Sequence, residues 1–367
     1  MNRNSFFGLL VVTAVAVALA TFTVLRQPSL RSADATGEPL FPGLTNQLTA
    51  LKSVVVKQAE GDLTFDWDGK NWVVRERKNY PAEDGKVAEV VIGIARMVRL
   101  EAKTAMADKL DRLELNDPKA KDSRAKQVIL VDRDGKTIAD VIVGKRKFSL
   151  GKEGGTYVRL PSGPQSWLAL GDINVANKPR DWLKRDIADI KDRDVKRVTV
   201  VYPDGEKVIA GRQSPNDPGF KIENLPSGKQ PSSDYSADEF GRMLQTFMLD
   251  DVAPASDIPF PKEKTTTADF DGFAGWRVTV QLTQKDGNSW IRVKADPPPG
   301  GPAAKPESDK PDAPKPGLGA APAPDWNKLM GEIKARTDGW AYQVPAYAVT
   351  IMTKRMADLI KKPETKS

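Results

Sequence analysis

Few side chains in this chain of 367 residues are placed to do chemistry, and they are carboxylates and aromatics, because the sequence contains neither histidine nor cysteine. Without imidazole, the commonest general base, the Ser-His-Asp triad and almost every zinc site are lost. Without thiols, disulfides and cysteine nucleophiles are lost as well. Asp66 and Asp68 are two residues apart, as are Asp132 and Asp134, and each pair adjoins an Asp-Gly dipeptide. Such pairs can bind calcium or move protons, but calcium wants about six or more oxygens and no loop concentrates them, so turn formation is the reading we adopt. The glycines of Gly151 to Gly155 fall between expected strands, without the strand-to-helix step that aims N–H groups at a phosphate, and read as a hairpin loop. Trp67, Trp72 and Trp167 occupy alternating strands, where aromatic platforms for sugar or peptide compete with core packing. Tyr157 and Arg159 join these tryptophans as the candidate ligand or partner surface. No catalytic residue, metal ligand or cofactor site is expected, and the protein is read as non-enzymatic.

The elements that would carry these side chains repeat along the chain. Gln127 to Val143 and Arg277 to Val293 each read as two alternating strands closed by Asp134-Gly135 and Asp286-Gly287, as type I′ turns require. Each is preceded by a meander, Leu51 to Arg75 in one case and Val195 to Glu223 in the other, and by a helix, residues 82–100 and 237–248. Gly339 to Pro345 is matched with Gly155 to Pro161, and a closing helix is expected over residues 348–360. The expected fold class is therefore α+β: a tandem duplication of an antiparallel β-meander/helix/β-hairpin unit. The repeats span 49–190 and 191–361, the second interrupted by a Pro/Ala-rich disordered insert at 296–324, with a tail at 362–367.

Residues 1–26 precede a linker at 27–48. Phe6 to Leu25 is almost wholly apolar and about long enough to cross a bilayer as a helix. One N-terminal transmembrane helix, uncleaved, is therefore expected ahead of the repeats. It would hold the protein in the cytoplasmic membrane as a single-pass protein with its body on the extracytoplasmic side. The net charge of +7 is spread among interleaved acids and bases, with no basic stripe, so no nucleic-acid partner is expected.

Five features carry a resemblance to a known family: the apolar N-terminal segment; Lys70 to Val74 ahead of Tyr80-Pro81-Ala82 and its helix; Val143-Gly144; Thr156-Tyr157-Val158-Arg159; and Asp181 to Asp186. On these the chain resembles the bacterial family called domain of unknown function 4340, over roughly Leu51 to Gly211 with a weaker echo beyond. None of the motifs is catalytic. The resemblance implies an accessory protein of an ABC-type transport system of the gliding-motility auxiliary kind, meeting an ABC-2-type permease and ATPase or another envelope protein. An envelope protein binding glycan or peptide on aromatic sheet surfaces is the alternative.

Overall fold

The computed structural model describes residues 37–299 and 324–361. The expected membrane segment, residues 300–323 of the Pro/Ala-rich stretch, and the tail lie outside them. Among the described residues no helix is long and apolar enough to cross a membrane.

Through residue 190 the strands are β1 (Leu51–Lys57), β2 (Leu63–Trp67), β3 (Trp72–Val74), β4 (Tyr80–Pro81), β5 (Val98–Ala102), β6 (Lys126–Asp132), β7 (Thr137–Lys147), β8 (Gly155–Arg159), β9 (Ser166–Leu170) and β10 (Asp186–Ala188). They continue as β11 (Val195–Val201), β12 (Lys207–Gly211), β13 (Lys221–Ile222), β14 (Phe247–Met248), β15 (Asp251–Pro254), β16 (Thr266–Gly272), β17 (Arg277–Lys285), β18 (Asn288–Asp296) and β19 (Trp340–Gln343). The helices are α1 (Leu44–Gln47), α2 (Asp84–Arg96), α3 (Asp238–Arg242), α4 (Trp326–Thr337), α5 (Ala346–Thr353) and α6 (Met356–Leu359).

The expected α+β fold is overturned: the described chain is mostly antiparallel sheet, and the three helices that periodicity suggests are each cut short or broken. The helix expected over 82–100 stops at Arg96, and Val98 onward becomes β5, paired with β9. The one expected over 237–248 keeps only α3, after which Phe247 and Met248 pair with β10. The closing helix breaks at Lys354 and Arg355, because the Arg355 guanidinium is held by Asp204 and Glu206 and the Met356 N–H by Glu206 (2.8–3.0 Å). In each case a tertiary partner outweighs a weak local propensity.

The described residues form two compact units, one from 37–62 and 88–175, the other from 63–87, 176–299 and 324–361. In the first, the strands lie in the order β1-β6-β7-β8-β9-β5. Alternation buries Val54 and Val56 of β1, Val128 and Leu130 of β6, and Val158 of β8. In the second unit, β2, β3 and β4 pair in succession, β10 pairs with β14, and the main sheet runs β13-β12-β11-β16-β17-β18-β19-β15. Val198, Val200, Ala268, Phe270, Val278 and Val280 form its buried rows.

Adding ten to each strand number of the first unit's run gives the corresponding run of the second. By that order the hairpin match expected from sequence is displaced by one. Asp134-Gly135 joins β6 to β7, whose counterparts β16 and β17 are joined through Phe273 to Trp276; Asp286-Gly287 joins β17 to β18. Likewise β19 stands where β9 does, not where β8 does. The two Asp-Gly turns also differ. Asp286 and Gly287 both have positive φ (51° and 77°), as a type I′ turn needs, whereas in the first only Gly135 does (80°). There the Gly135 N–H donates to Asp132 O and the Asp132 N–H to Lys136 O, closing a longer turn with a glycine bulge.

Candidate functional site: a cleft beside the edge strand β13

Of the paired carboxylates, Asp66, Asp68 and Asp132 are engaged in structure. Asp66 accepts two hydrogen bonds from Arg75, both 2.8 Å, and Asp68 accepts the N–H groups of Lys70 and Asn71 at 2.7 and 2.8 Å. Asp132 accepts those of Asp134 and Lys136 at 3.0 and 2.8 Å. Arg180 and Arg185 both reach Asp250, at 3.1 and 3.4 Å.

The residues of the candidate surface are divided between the two units. Trp67 and Trp72, in the second unit, are cross-strand partners with ring centroids 5.6 Å apart in edge-to-face contact, each half-buried. Tyr157, Arg159 and Trp167 belong to the first unit. Trp167 pairs with Val158, so it lies on the opposite face of the sheet from Tyr157 and Arg159, and the Arg99 guanidinium covers its ring at 5.3 Å. Tyr157 packs on a small core of Leu110, Leu115, Ala125 and Ile142. Arg159 donates to the carbonyls of Leu115 (3.3 Å) and Gly163 (3.4 Å). Gly144 belongs to the same arrangement: a Cβ there would meet Leu113 O at 2.3 Å and Glu114 O at 2.7 Å. Gly144, Tyr157 and Arg159 thus converge on one loop, residues 110–115, and hold it against the sheet.

A concave feature lies elsewhere. A cleft of about 1000 Å³ in the second unit is walled by the loop after β12, by β13, and by the loop leading to α3. The sequence makes this region turn-rich, with Pro215, Pro218, Pro226 and Pro231 flanking a strand of only two residues. Its floor is rigid. Arg212 is buried, donates to Asp192 O at 2.9 Å, and stacks at 4.1 Å on Phe220, itself buried. The Phe220 N–H donates to the buried Asp238 carboxylate at 2.8 Å. The Phe220 ring presses so closely on Gly241 that a Cβ there would meet it at 2.0 Å. Asp217 closes its own loop by accepting the N–H groups of Gln213 and Ser214 at 2.8 and 3.0 Å. Glu223 is paired with Arg197 at 2.9 and 3.2 Å. Tyr235 stands at the rim, 69% exposed.

These walls supply backbone edge, one exposed aromatic, one buried aromatic and several charges. Among the described residues no cluster of acids could hold a metal ion. None of the residues singled out from sequence lines the cleft. The available signal was the short strand between proline-rich loops, followed by an unpaired exposed tyrosine.

The profile of the family described as Domain of unknown function (DUF4340) matches residues 72–267, just over half of the chain, and the chain belongs to that family. The match starts and ends later than the motifs suggest, running from β3 into β16 and taking in every residue of the cleft. No curated protein and no solved structure matches the chain.

Proposed function

We propose that the protein is a non-enzymatic accessory protein of the cell envelope. It is tethered to the cytoplasmic membrane through its N-terminal apolar run, with its body outside, and binds a protein component of an ABC-type transport system. The observation that supports binding is the cleft beside β13, concave and firmly walled, with its buried charges already engaged in holding the walls. The partner class, an ABC-2-type permease with its ATPase, rests on the sequence resemblance. Purification of the full chain from detergent-solubilised membranes tests it. A permease and an ATPase should accompany the protein through two orthogonal columns, and repeated recovery of the protein alone would contradict the reading. Labelling intact cells with a membrane-impermeant amine reagent tests the placement, since full protection of the lysines would place the body inside.

A second reading, glycan or peptide capture on an aromatic sheet surface, is favoured by the partial exposure of Trp67 and Trp72. Quenching of intrinsic fluorescence by cell-wall oligosaccharides, lost in a Trp67→Ala/Trp72→Ala double variant, would support it over the cleft.

A further inference from the structure

Strand β13 is the last of its sheet, and its outer side faces the cleft. Its inner side is fixed by the pairs Gly211↔Lys221 and Ala210↔Ile222 and by the Glu223 N–H donating to Ile209 O at 2.8 Å. Lys221 and Glu223 therefore turn their backbone groups towards β12, and Phe220 and Ile222 turn theirs away. The Phe220 N–H is taken by Asp238. The Ile222 N–H and C=O have no partner among the described residues, and they open on the cleft. An unpaired donor and acceptor on a sheet edge beside a walled groove is the geometry that accepts an added strand.

The charges select among occupants. Arg212 and Glu223 are already neutralised, by Asp192 and Arg197. Asp217 and Asp234, both lining the cleft, carry no ion pair among the described residues, against one such cation, Lys221. An anionic ligand would find Lys221 as its main cation, because the Arg212 side chain is only 4% exposed, lies over Phe220 and is paired with Asp192. A glycan would need several flat faces, and Tyr235 is the single exposed ring in the lining.

We propose that the cleft binds an extended, basic segment of a partner protein, which adds to β13 as a further strand by bonding to Ile222, with its basic side chains at Asp217 and Asp234. This mode rests on the binding reading of the cleft and specifies its ligand.

The test uses the full chain in detergent and a synthetic library of nine-residue peptides alternating β-branched and basic residues. Fluorescence polarisation should find binders. For the tightest of them, N-methylation of the residues whose amides face β13 should weaken binding about tenfold, while N-methylation of the intervening residues changes it less than about twofold. Asp217→Asn/Asp234→Asn should remove the preference for basic over neutral peptides. Equal effects of the two N-methylation patterns, or no binder in the library, would overturn the proposal. Because the N-methylation comparison leaves the protein unaltered, it does not depend on a variant folding. If peptides bind as described but no permease co-purifies, the strand-addition mode stands and the transport reading falls; if a permease co-purifies and no peptide binds, the reverse holds.

Discussion

Replacing Gly144 by alanine tests why the Val143-Gly144 motif exists. Gly144 lacks a left-handed φ, so the backbone itself accepts alanine; what forbids it is space. The added Cβ would sit 2.3 Å from Leu113 O, 2.7 Å from Glu114 O and 2.8 Å from Leu115 Cδ2, of which two are backbone atoms that no rotamer change can move. The loop cannot slide away cheaply. Glu114 holds a left-handed φ of 57°, the Leu115 N–H is bonded to Leu110 O, and the Leu115 carbonyl to Arg159. Overpacking of this kind costs about 1–3 kcal/mol, and the backbone contacts place Gly144→Ala at the upper end, about 2–3 kcal/mol. For a unit of this size that lowers Tm by roughly 4–10 °C. Gly163→Ala is the control: nothing lies within 4 Å of its Cβ and its φ is not left-handed, so Tm should move by less than about 2 °C. Circular dichroism melts of the two variants and the parent decide it. If Gly144→Ala melts within about 1 °C of the parent, the motif does not act by close approach.

Three further outcomes follow from named contacts. Thr156→Val removes the hydroxyl that donates to Gly171 O at 2.7 Å and accepts from the Ile173 N–H at 3.1 Å, both sheltered from water, and should cost about 2 kcal/mol by urea titration. Trp182→Ala loses a side chain 1% exposed whose ring lies 4.7 Å from that of Phe65, and should cost about 3–5 kcal/mol, enough to lower the yield of folded protein. Burial pushes the Tyr80 phenol up from 10.0 to about 12, and burial raises Tyr342 as well. The folded protein therefore keeps a proton that the unfolded chain releases above its ordinary value. Each phenol's contribution is constant below about pH 10 and falls by about 1.4 kcal/mol per pH unit from there towards pH 12. Tyr80→Phe should flatten part of that fall in alkaline urea titrations, and an unchanged slope would refute the assignment.

The strands were legible in the sequence because alternation is a local signal, as in β6, β7, β11 and β17, where a buried row faces a polar one. The order of strands in each sheet was not, because it depends on long-range pairing. The displaced hairpin match shows the consequence. Asp-Gly marks a tight turn wherever one occurs, so Asp134-Gly135 and Asp286-Gly287 looked equivalent while joining different strand pairs. The same limit hid the cleft. Residues 219–223 read as a strand, but that β13 is the outermost one, with Ile222 left unpaired, follows only from the whole sheet. Conversely, Tyr157 and Arg159 drew attention as surface groups, and their part in holding residues 110–115 became visible only once Ile142 and Leu115 were brought together.

Site-specific photo-crosslinking in intact membranes tests the central claim, that partners are met at the cleft beside β13, most directly. A photoactivatable residue at position 235 should yield a discrete crosslink to a membrane protein that disappears when excess binding peptide is added, while the same residue at position 67 yields none. A crosslink from position 67 with none from 235 would contradict the account and move the functional surface to the Trp67 and Trp72 pair.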